Sequence, residues 1–482
     1  MHITFINPTL GGDYSAMDIA ITSLATYINE KTQHSASIID LTFHRKYWRN
    51  YLKTKIIRHT PDIIGLSTNT LYMQYVKSVM NEIKSNFKLP IILGGHHASI
   101  YPEETINISG CDAVCIGDGE IPLTKYLNKL PSNNNFHNIE GIWAKTNKGI
   151  VKNDNGSFNQ NLDDLPPPNW DLWEDLDKYF YFLGMLYIIG SRGCPYRCSY
   201  CDAHGIADAV EGNYFRLKDP IKYVAEINYH WQKYKNRNLR LLQLFDPVFT
   251  IDDEWLEKFC NKYKNSGLSE KIKFSIFSRI DHLNEDKIKL LAESGCKILR
   301  VGIECGNENM RINVYKKNVL NKKIADIMTL IKKYNLSTTA YYMLGGPGET
   351  KNNIKETITF ANQLKAERSA FFVYKPFTQE GVQQICTLGG SIDQEKWQQM
   401  DNITFGAAVY TKELTPHQVE NYQKLAYFIT FGKRLIRMIL HQRLKYFSRL
   451  IIYIYRGFIK NGLDISYLLT YYHIYSYDNI DK

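Results

Sequence analysis

The chain has no uninterrupted apolar stretch near the roughly 18 to 20 residues of a spanning helix, which excludes a helical membrane anchor from this reading. Its start, MHITFINPTLGG, has neither the basic region nor the long apolar run of a secretory signal, so a cytoplasmic location is expected. Cysteine is sparse, with nine in 482 residues. Reduced thiols are expected in that compartment, so a close cluster of them is a candidate for metal ligation, and only one such cluster exists. No solenoid-type repeat is present. Acidic residues are missing from Asn421 to Lys460, where Lys424, Lys433, Arg434, Arg437, Arg443, Lys445, Arg449, Arg456 and Lys460 are interleaved with Leu, Ile, Phe and Tyr. That stretch is a basic amphipathic tail. It suits a membrane surface, a nucleic-acid contact, a cap over a substrate site, or simply a helical subdomain whose basic face meets water.

What is present reads as globular. An apolar share of 44% with 22% charged residues argues against wholesale disorder, and the length calls for two to four domains, each with its own core. HITFIN, SASIID, DIIGLST, PIILGG and DAVCIGD are five strand candidates separated by helix-like segments, an alternation that predicts a parallel, doubly wound sheet over residues 1–135. A polar and then proline-rich stretch, 136–184, reads as a linker. A second βα series follows over 185–395, through MLYIIGSRG, LRLLQLFDPVFT, IKFSIFSRID, KILRVGIECG and STTAYYMLGGPGET. It predicts a partial (β/α)6 barrel of the TIM type, whose active site lies on loops at the carboxyl ends of the strands. Residues 396–482 are expected to form a helical, basic C-terminal region.

Cys194, Cys198 and Cys201 stand as C-P-Y-R-C-S-Y-C directly after the first strand of that second series. Three thiolates on one short loop can bind three irons of a cubane cluster and leave the fourth without a protein ligand. A zinc site closed by His204 is the alternative, although zinc sites favour paired CxxC knuckles. The remaining cysteines, Cys111, Cys115, Cys260, Cys296, Cys305 and Cys386, are scattered and read as small apolar fillers.

The CxxxCxxC spacing, with aromatic Tyr200 before the last cysteine, resembles the radical S-adenosylmethionine (radical SAM) family. The likeness continues in family order through residue 390 or so. QLFDPVFTID resembles the acidic element after the second barrel strand, with Asp246 in place and Pro247 replacing a second acid. Arg279 ends the third strand, Gly302, Ile303, Glu304 and Gly306 match G-I-E-x-G, and Gly345 to Thr350 match G-x-P-G-E-T. The resemblance implies that Glu304 and Asp246 meet the ammonium or ribose of S-adenosylmethionine, that Arg279 meets its carboxylate, and that Gly345 and Gly346 let backbone approach the nucleoside. The turn at Pro376 to Gly381 departs from the family's P-G-T.

Three loops of the front sheet resemble the cobalamin-binding (B12-binding) domain that precedes many radical SAM domains. They carry Ser67 and Thr68, then Gly94 and Gly95, then Gly117, Gly119 and Glu120, all at carboxyl ends of strands where a large planar cofactor fits. The D-x-H-x-x-G signature of a histidine lower ligand is missing, since the first loop reads NPTLGGD. His96 and His97 are the nearby imidazoles. The resemblance therefore implies a [4Fe–4S] cluster, S-adenosylmethionine and cobalamin as cofactors, and an electron donor such as flavodoxin or ferredoxin as partner. It implies an enzyme that cleaves S-adenosylmethionine to a 5′-deoxyadenosyl radical and methylates an unactivated carbon or phosphorus of a small molecule or lipid. Radical cyclisation or ring rearrangement is the first alternative. Methylthio transfer to transfer RNA is less favoured, because that family carries three cluster cysteines in front and a basic β-barrel at the end, whereas this front domain has only Cys111 and Cys115 and the tail reads helical; nucleic acid is not expected as a partner. A non-catalytic cobalamin carrier leaves the cysteine loop without purpose.

Overall fold

The computed structural model describes residues 1–10, 17–131 and 135–440. These fall into two compact units, one of Met1–Tyr179 with Asp202–Arg216, the other of Phe180–Cys201 with the chain from Leu217 onward.

The first unit is a seven-stranded sheet. Strands β1 (His2–Asn7), β2 (Ser35–Asp40), β3 (Ile63–Ser67), β4 (Ile91–Gly94) and β5 (Ala113–Cys115) run parallel in the order β2-β1-β3-β4-β5. Ile6, Ile64, Leu66, Ile91, Leu93 and Val114 are buried in one core, and Ile3, Phe5, Ile63, Ile92 and Ala113 at the alternate positions are buried too, which is why these strands read as nearly continuous apolar runs. This order places a crevice at the carboxyl ends of β1 and β3, where the connections diverge. The stretch expected to be a linker behaves differently. Antiparallel β6 (Ile142–Thr146) and β7 (Gly149–Lys152) extend the sheet beyond β5. The Pro-rich segment is then sewn onto the same unit by Asn169 N–H to Thr26 Oγ1 at 2.8 Å, the Trp173 indole to Thr22 Oγ1 at 2.8 Å and the Tyr179 hydroxyl to Asp40 at 2.8 Å.

The second unit has the expected half-barrel form. Strands β8 (Met185–Ile188), β11 (Leu241–Leu244), β12 (Lys273–Ser278), β13 (Cys296–Glu304), β14 (Ser337–Leu344) and β15 (Arg368–Val373) are all parallel and neighbour one another in chain order. The two-residue strands β9 (Ser191–Arg192) and β10 (Arg216–Leu217) fall between β8 and β11 in the chain. At least one helix lies in every connection between successive strands of this sheet. Helix Asp253–Asn265 is typical: Asp252 caps it through Trp255 N–H, and Trp255, Leu256, Phe259 and Tyr263 recur on its buried face. That face meets Phe274 of β12, 4.9 Å from the Tyr263 ring and 5.9 Å from Phe259. Burial of each such side chain is worth ~1.5–3 kcal/mol.

The C-terminal region is not wholly helical. β16 (Ser391–Ile392) pairs antiparallel with β17 (Val409–Tyr410), and helix Pro416–Leu440 then packs on β15, where Gln423 donates to the Phe371 carbonyl at 2.7 Å. Residues 396–440 thus complete the second unit. The basic run beyond Leu440 lies outside the described residues, and among those described no helix is long and apolar enough to cross a membrane.

Candidate active site

The cysteine loop leaves the carboxyl end of β8. Cys198 is buried while Cys194 and Cys201 are partly exposed, and the loop is tightened by Cys201 N–H donating to the Cys198 carbonyl at 3.0 Å. Ser199 Oγ donates to the Val314 carbonyl at 2.6 Å, and Thr378 Oγ1 donates to the Ser199 carbonyl at 2.6 Å. Thr378 belongs to the turn that departs from the family pattern, and here it both caps helix Gln379–Thr387 and clamps the cysteine loop. The guanidinium of Arg279 approaches Cys198 Sγ to 3.4 Å, lies 3.8 Å over the Tyr196 ring and is held by Asp281 at 2.7 and 3.1 Å. Burial pushes the Cys194 thiol up, against the pull of the Tyr196 backbone N–H, Arg279 and Lys317. Among the described residues no three Cys, His, Asp or Glu side chains are gathered closely enough for a single metal ion. A cubane asks for less convergence, because each thiolate takes its own iron.

Beside the loop stands a buried polar group that sequence reading only half found. Glu304, at the end of β13, has φ of +70°, a left-handed conformation uncommon for a non-glycine residue. Its Oε1 accepts from the Tyr200 hydroxyl at 2.9 Å and from Lys317 Nζ at 2.8 Å, and Lys317 also donates to the Gly302 carbonyl at 2.8 Å. Burial and the adjacent carboxylate push the Tyr200 phenol well up, so it stays a donor. The motif glycines have steric reasons. A Cβ on Gly302 would lie 2.2 Å from Glu304 Oε1, and one on Gly306 would lie 2.6 Å from the Glu356 carbonyl oxygen. Gly302 therefore makes room for the carboxylate, and Gly306 for helix Lys351–Leu364.

Other expected ligands are occupied otherwise. Asp246 is 1% exposed, and its oxygens accept from Gly190 N–H at 2.9 Å, Ser191 Oγ at 2.6 Å and the Tyr223 hydroxyl at 3.0 Å. It ties the end of β8 to β11. In the G-x-P-G-E-T turn, Glu349 accepts from the N–H groups of Gly345 and Gly346, and Thr350 caps the following helix in a capping box with Asn353. A Cβ on Gly346 would strike the Tyr315 hydroxyl, so these glycines serve the turn and its packing. Arg279, expected at a carboxylate ligand, has Asp281 as its carboxylate.

In the first unit the three expected loops do meet at the carboxyl ends of β3, β4 and β5. Thr68 N–H and Oγ1 both donate to the Gly94 carbonyl at 2.7 Å, and Thr68 Oγ1 accepts from Ala98 N–H at 3.0 Å. Ser99 Oγ links the loops further, donating to the Gly95 carbonyl at 2.9 Å and accepting from Gly117 N–H at 3.0 Å. Gly95 has φ of +94°, and a Cβ there would lie 2.9 Å from Thr68 backbone. Gly94 is partly exposed, and its Cβ would make only ordinary contact at 3.6 Å. Gly119 and buried Glu120 start helix Glu120–Lys129. His97 is buried with Nδ1 at 3.1 Å from Thr70 Oγ1, and His96 Nδ1 lies 3.3 Å from Asp202.

Comparison with known proteins supports both halves. The radical SAM superfamily profile matches residues 188–361, and the B12 binding domain profile matches residues 6–127. The chain belongs to the cobalamin-binding radical SAM family. An uncharacterized methyltransferase of Pyrococcus horikoshii is 24% identical over 413 residues, covering 85% of this chain and 86% of that protein. The anaerobic magnesium-protoporphyrin IX monomethyl ester cyclase of Cereibacter sphaeroides is 23% identical over 71% of this chain, which spans only 55% of that protein's length. Cytidylyl-2-hydroxyethylphosphonate methyltransferase of Streptomyces wedmorensis is 20% identical, over 70% of this chain and 68% of that enzyme. Two solved folds are similar. The radical SAM methyltransferase TsrM of Kitasatospora setae gives a TM-score of 0.65 at 17% identity, over 81% of this chain and 77% of that one. The cobalamin-dependent radical SAM enzyme OxsB gives 0.70 at 16% identity, over 100% and 76%.

The residues present fit the cofactors of a cobalamin-binding radical SAM enzyme. Three free thiols on one loop, with a guanidinium at the most buried sulfur, suit a cubane with one open iron. Partly exposed Gly94 and Ser67 stand at the carboxyl ends of parallel strands, the edge on which such sheets take large cofactors. Lys317 is the site residue that no motif announced, since it reads in the sequence as one of two lysines in a turn.

Proposed function

We propose that this radical SAM enzyme methylates an unactivated carbon or phosphorus of a small molecule or lipid. The observation that carries the reading is the placement of Cys194, Cys198 and Cys201 at the carboxyl end of the first barrel strand, with the Tyr200–Glu304–Lys317 group beside them. Bound to this chain, a reduced [4Fe–4S] cluster supplies the electron that cleaves S-adenosylmethionine to a 5′-deoxyadenosyl radical, and cobalamin supplies a carrier for the transferred methyl group.

The chain's own residues do the positioning. Cys194, Cys198 and Cys201 hold the cluster, and Arg279 stabilises the negative charge at Cys198. Glu304 offers its carboxylate to the ammonium or ribose hydroxyls of S-adenosylmethionine, while Lys317 and Tyr200 hold it in place. Ser67, Gly94, Gly95 and Gly117 are the residues that would face cobalamin, and the first loop carries no D-x-H-x-x-G histidine. Asp246 stays a structural tie. Flavodoxin or ferredoxin is the class of electron donor, in a reducing cytoplasm. The basic run from Asn421 to Lys460 is the proposed contact with an anionic lipid surface, checked by sedimentation with vesicles of anionic and of neutral phospholipid.

The relatives named as cyclases favour a second reading, radical cyclisation without methyl transfer. Product counting separates the two. Methylation by the anaerobically reconstituted enzyme yields S-adenosylhomocysteine together with 5′-deoxyadenosine, whereas cyclisation yields 5′-deoxyadenosine alone. Turnover without S-adenosylhomocysteine would overturn the methylase reading.

A further inference from the structure

In a parallel barrel the side of the sheet away from the helices is normally filled by branched aliphatic side chains. The second unit does something else. Phe274 and Ile276 of β12, Leu299 and Val301 of β13 and Tyr342 of β14 face the helices and are buried. The alternate residues, which face the other way, form a continuous aromatic row across the sheet. Tyr187 on β8 lies 5.7 Å from Phe245, which lies 5.3 Å from Phe277, and Tyr341 on β14 lies 5.7 Å from Phe372 on β15. Between the two halves, the Phe277 and Tyr341 rings are 6.2 Å apart and within 22° of parallel. The strand between them, β13, contributes Arg300, whose guanidinium lies 5.7 Å over Phe277 and donates to the Tyr341 hydroxyl at 3.2 Å.

The row is not a finished core. Phe245 is 41% exposed, and Phe277, Tyr341 and Phe372 are each partly exposed. Further along the same face of β13, Gly302 has no side chain, and Glu304 folds back over it, so the row ends against the Glu304–Lys317 pair. Partly exposed rings around buried Arg300 offer π faces for stacking, and its guanidinium, already bonded to the Tyr341 hydroxyl, adds positive charge toward an anionic edge.

We infer that this face is the substrate platform, and that the substrate is a flat, unsaturated molecule carrying one anionic group that pairs with Arg300. The inference rests on reading the unit as a radical SAM barrel, and it adds the chemical class of what the barrel takes. Near-parallel Phe277 and Tyr341 select planarity, and Arg300 between them selects a carboxylate or a phosphorus oxyanion at the guest's edge.

The test uses the full-length protein loaded anaerobically with iron, sulfide and hydroxocobalamin and saturated with S-adenosylmethionine without reductant, so that surfaces the cofactors cover are already covered. Calorimetric titrations compare 1-naphthoate (flat, anionic), 1-naphthalenemethanol (flat, neutral) and decanoate (flexible, anionic). 1-Naphthoate should bind at least about tenfold more tightly than either of the others. Arg300→Gln should weaken 1-naphthoate by about tenfold and leave the neutral probe unchanged, with Arg300→Lys intermediate. Phe277→Leu should weaken both naphthyl probes and spare decanoate. Equal affinity for decanoate and 1-naphthoate in the wild type, or no binding of either, overturns the inference without any variant. So does an unchanged 1-naphthoate affinity in Arg300→Gln. Cleavage of S-adenosylmethionine by the reduced wild type, measured separately, reports on the family reading, so the two can fail independently.

Discussion

Replacing Asp246 separates a structural carboxylate from a ligand-binding one. The side chain is fully buried, and burial pushes its carboxyl up to about 6, partly offset by Ser191, Tyr223 and Gly190 as donors. Between about pH 4 and pH 6 the folded protein keeps a proton that the unfolded chain has released. This carboxyl's contribution is therefore present at the acidic end and lost as pH rises, by about 3 kcal/mol across that window. Asp246→Asn removes the titration and keeps an acceptor for Gly190 N–H and Ser191 Oγ, so at pH 7.5 it should be as stable as wild type or more stable by up to about 3 kcal/mol. Asp246→Ala leaves Gly190 N–H and Ser191 Oγ orphaned at ~1–3 kcal/mol each, with the Tyr223 hydroxyl keeping only the Ile188 carbonyl at 3.4 Å, and should be less stable at every pH. Urea unfolding of the three proteins at pH 5 and pH 7.5, followed by circular dichroism, gives the difference between variant and wild type and so isolates this group. Dialysis with labelled S-adenosylmethionine should show Asp246→Asn within about twofold of wild type. A destabilised Asp246→Asn at pH 7.5, or a tenfold loss of S-adenosylmethionine affinity, would refute the structural role.

Three further outcomes follow from the same geometry. Gly302→Ala drives a methyl into Glu304 Oε1 and should cost ~1–3 kcal/mol by overpacking, with S-adenosylmethionine affinity falling at least about tenfold in the dialysis assay. Lys317→Met leaves Glu304 buried without its cation, and a loss of ~3–5 kcal/mol in unfolding free energy is expected while cluster absorbance in the surviving folded fraction is unchanged. Glu349, pushed up to about 8 by burial, loses stabilisation as pH rises from about 4.5 to about 8. Glu349→Gln should flatten that pH dependence of the urea midpoint, and an unchanged slope would contradict the assignment.

Much of this was legible because parallel strands buried on both faces leave apolar runs, and barrel chemistry follows directly after them. The cysteine loop, Glu304 and the three front loops were read as candidates on that basis, and all lie at or just beyond carboxyl ends of parallel strands. Lys317 was not, since its meeting with Glu304 is made by the fold across 13 residues and a lone lysine carries no signal. Asp246 sat at a motif position, but its partners Gly190 and Ser191 lie more than 50 residues upstream, and only the β8–β11 pairing reveals them. Strands β6 and β7 were lost in a polar stretch, although IWAKT and GIVK flank a two-residue connection of the kind that joins hairpin strands. The domain limits drawn from composition shifted for the same reason: polar segments that bond to a unit belong to it.

The account stands most directly on three thiolates gripping a cubane with one iron open. Electron paramagnetic resonance of the anaerobically reconstituted, dithionite-reduced protein, with and without S-adenosylmethionine, measures this. A reduced [4Fe–4S] signal that changes shape when S-adenosylmethionine is added, and is absent in Cys198→Ala, is the predicted result. A wild-type protein without that signal, or one whose signal ignores S-adenosylmethionine, would contradict it.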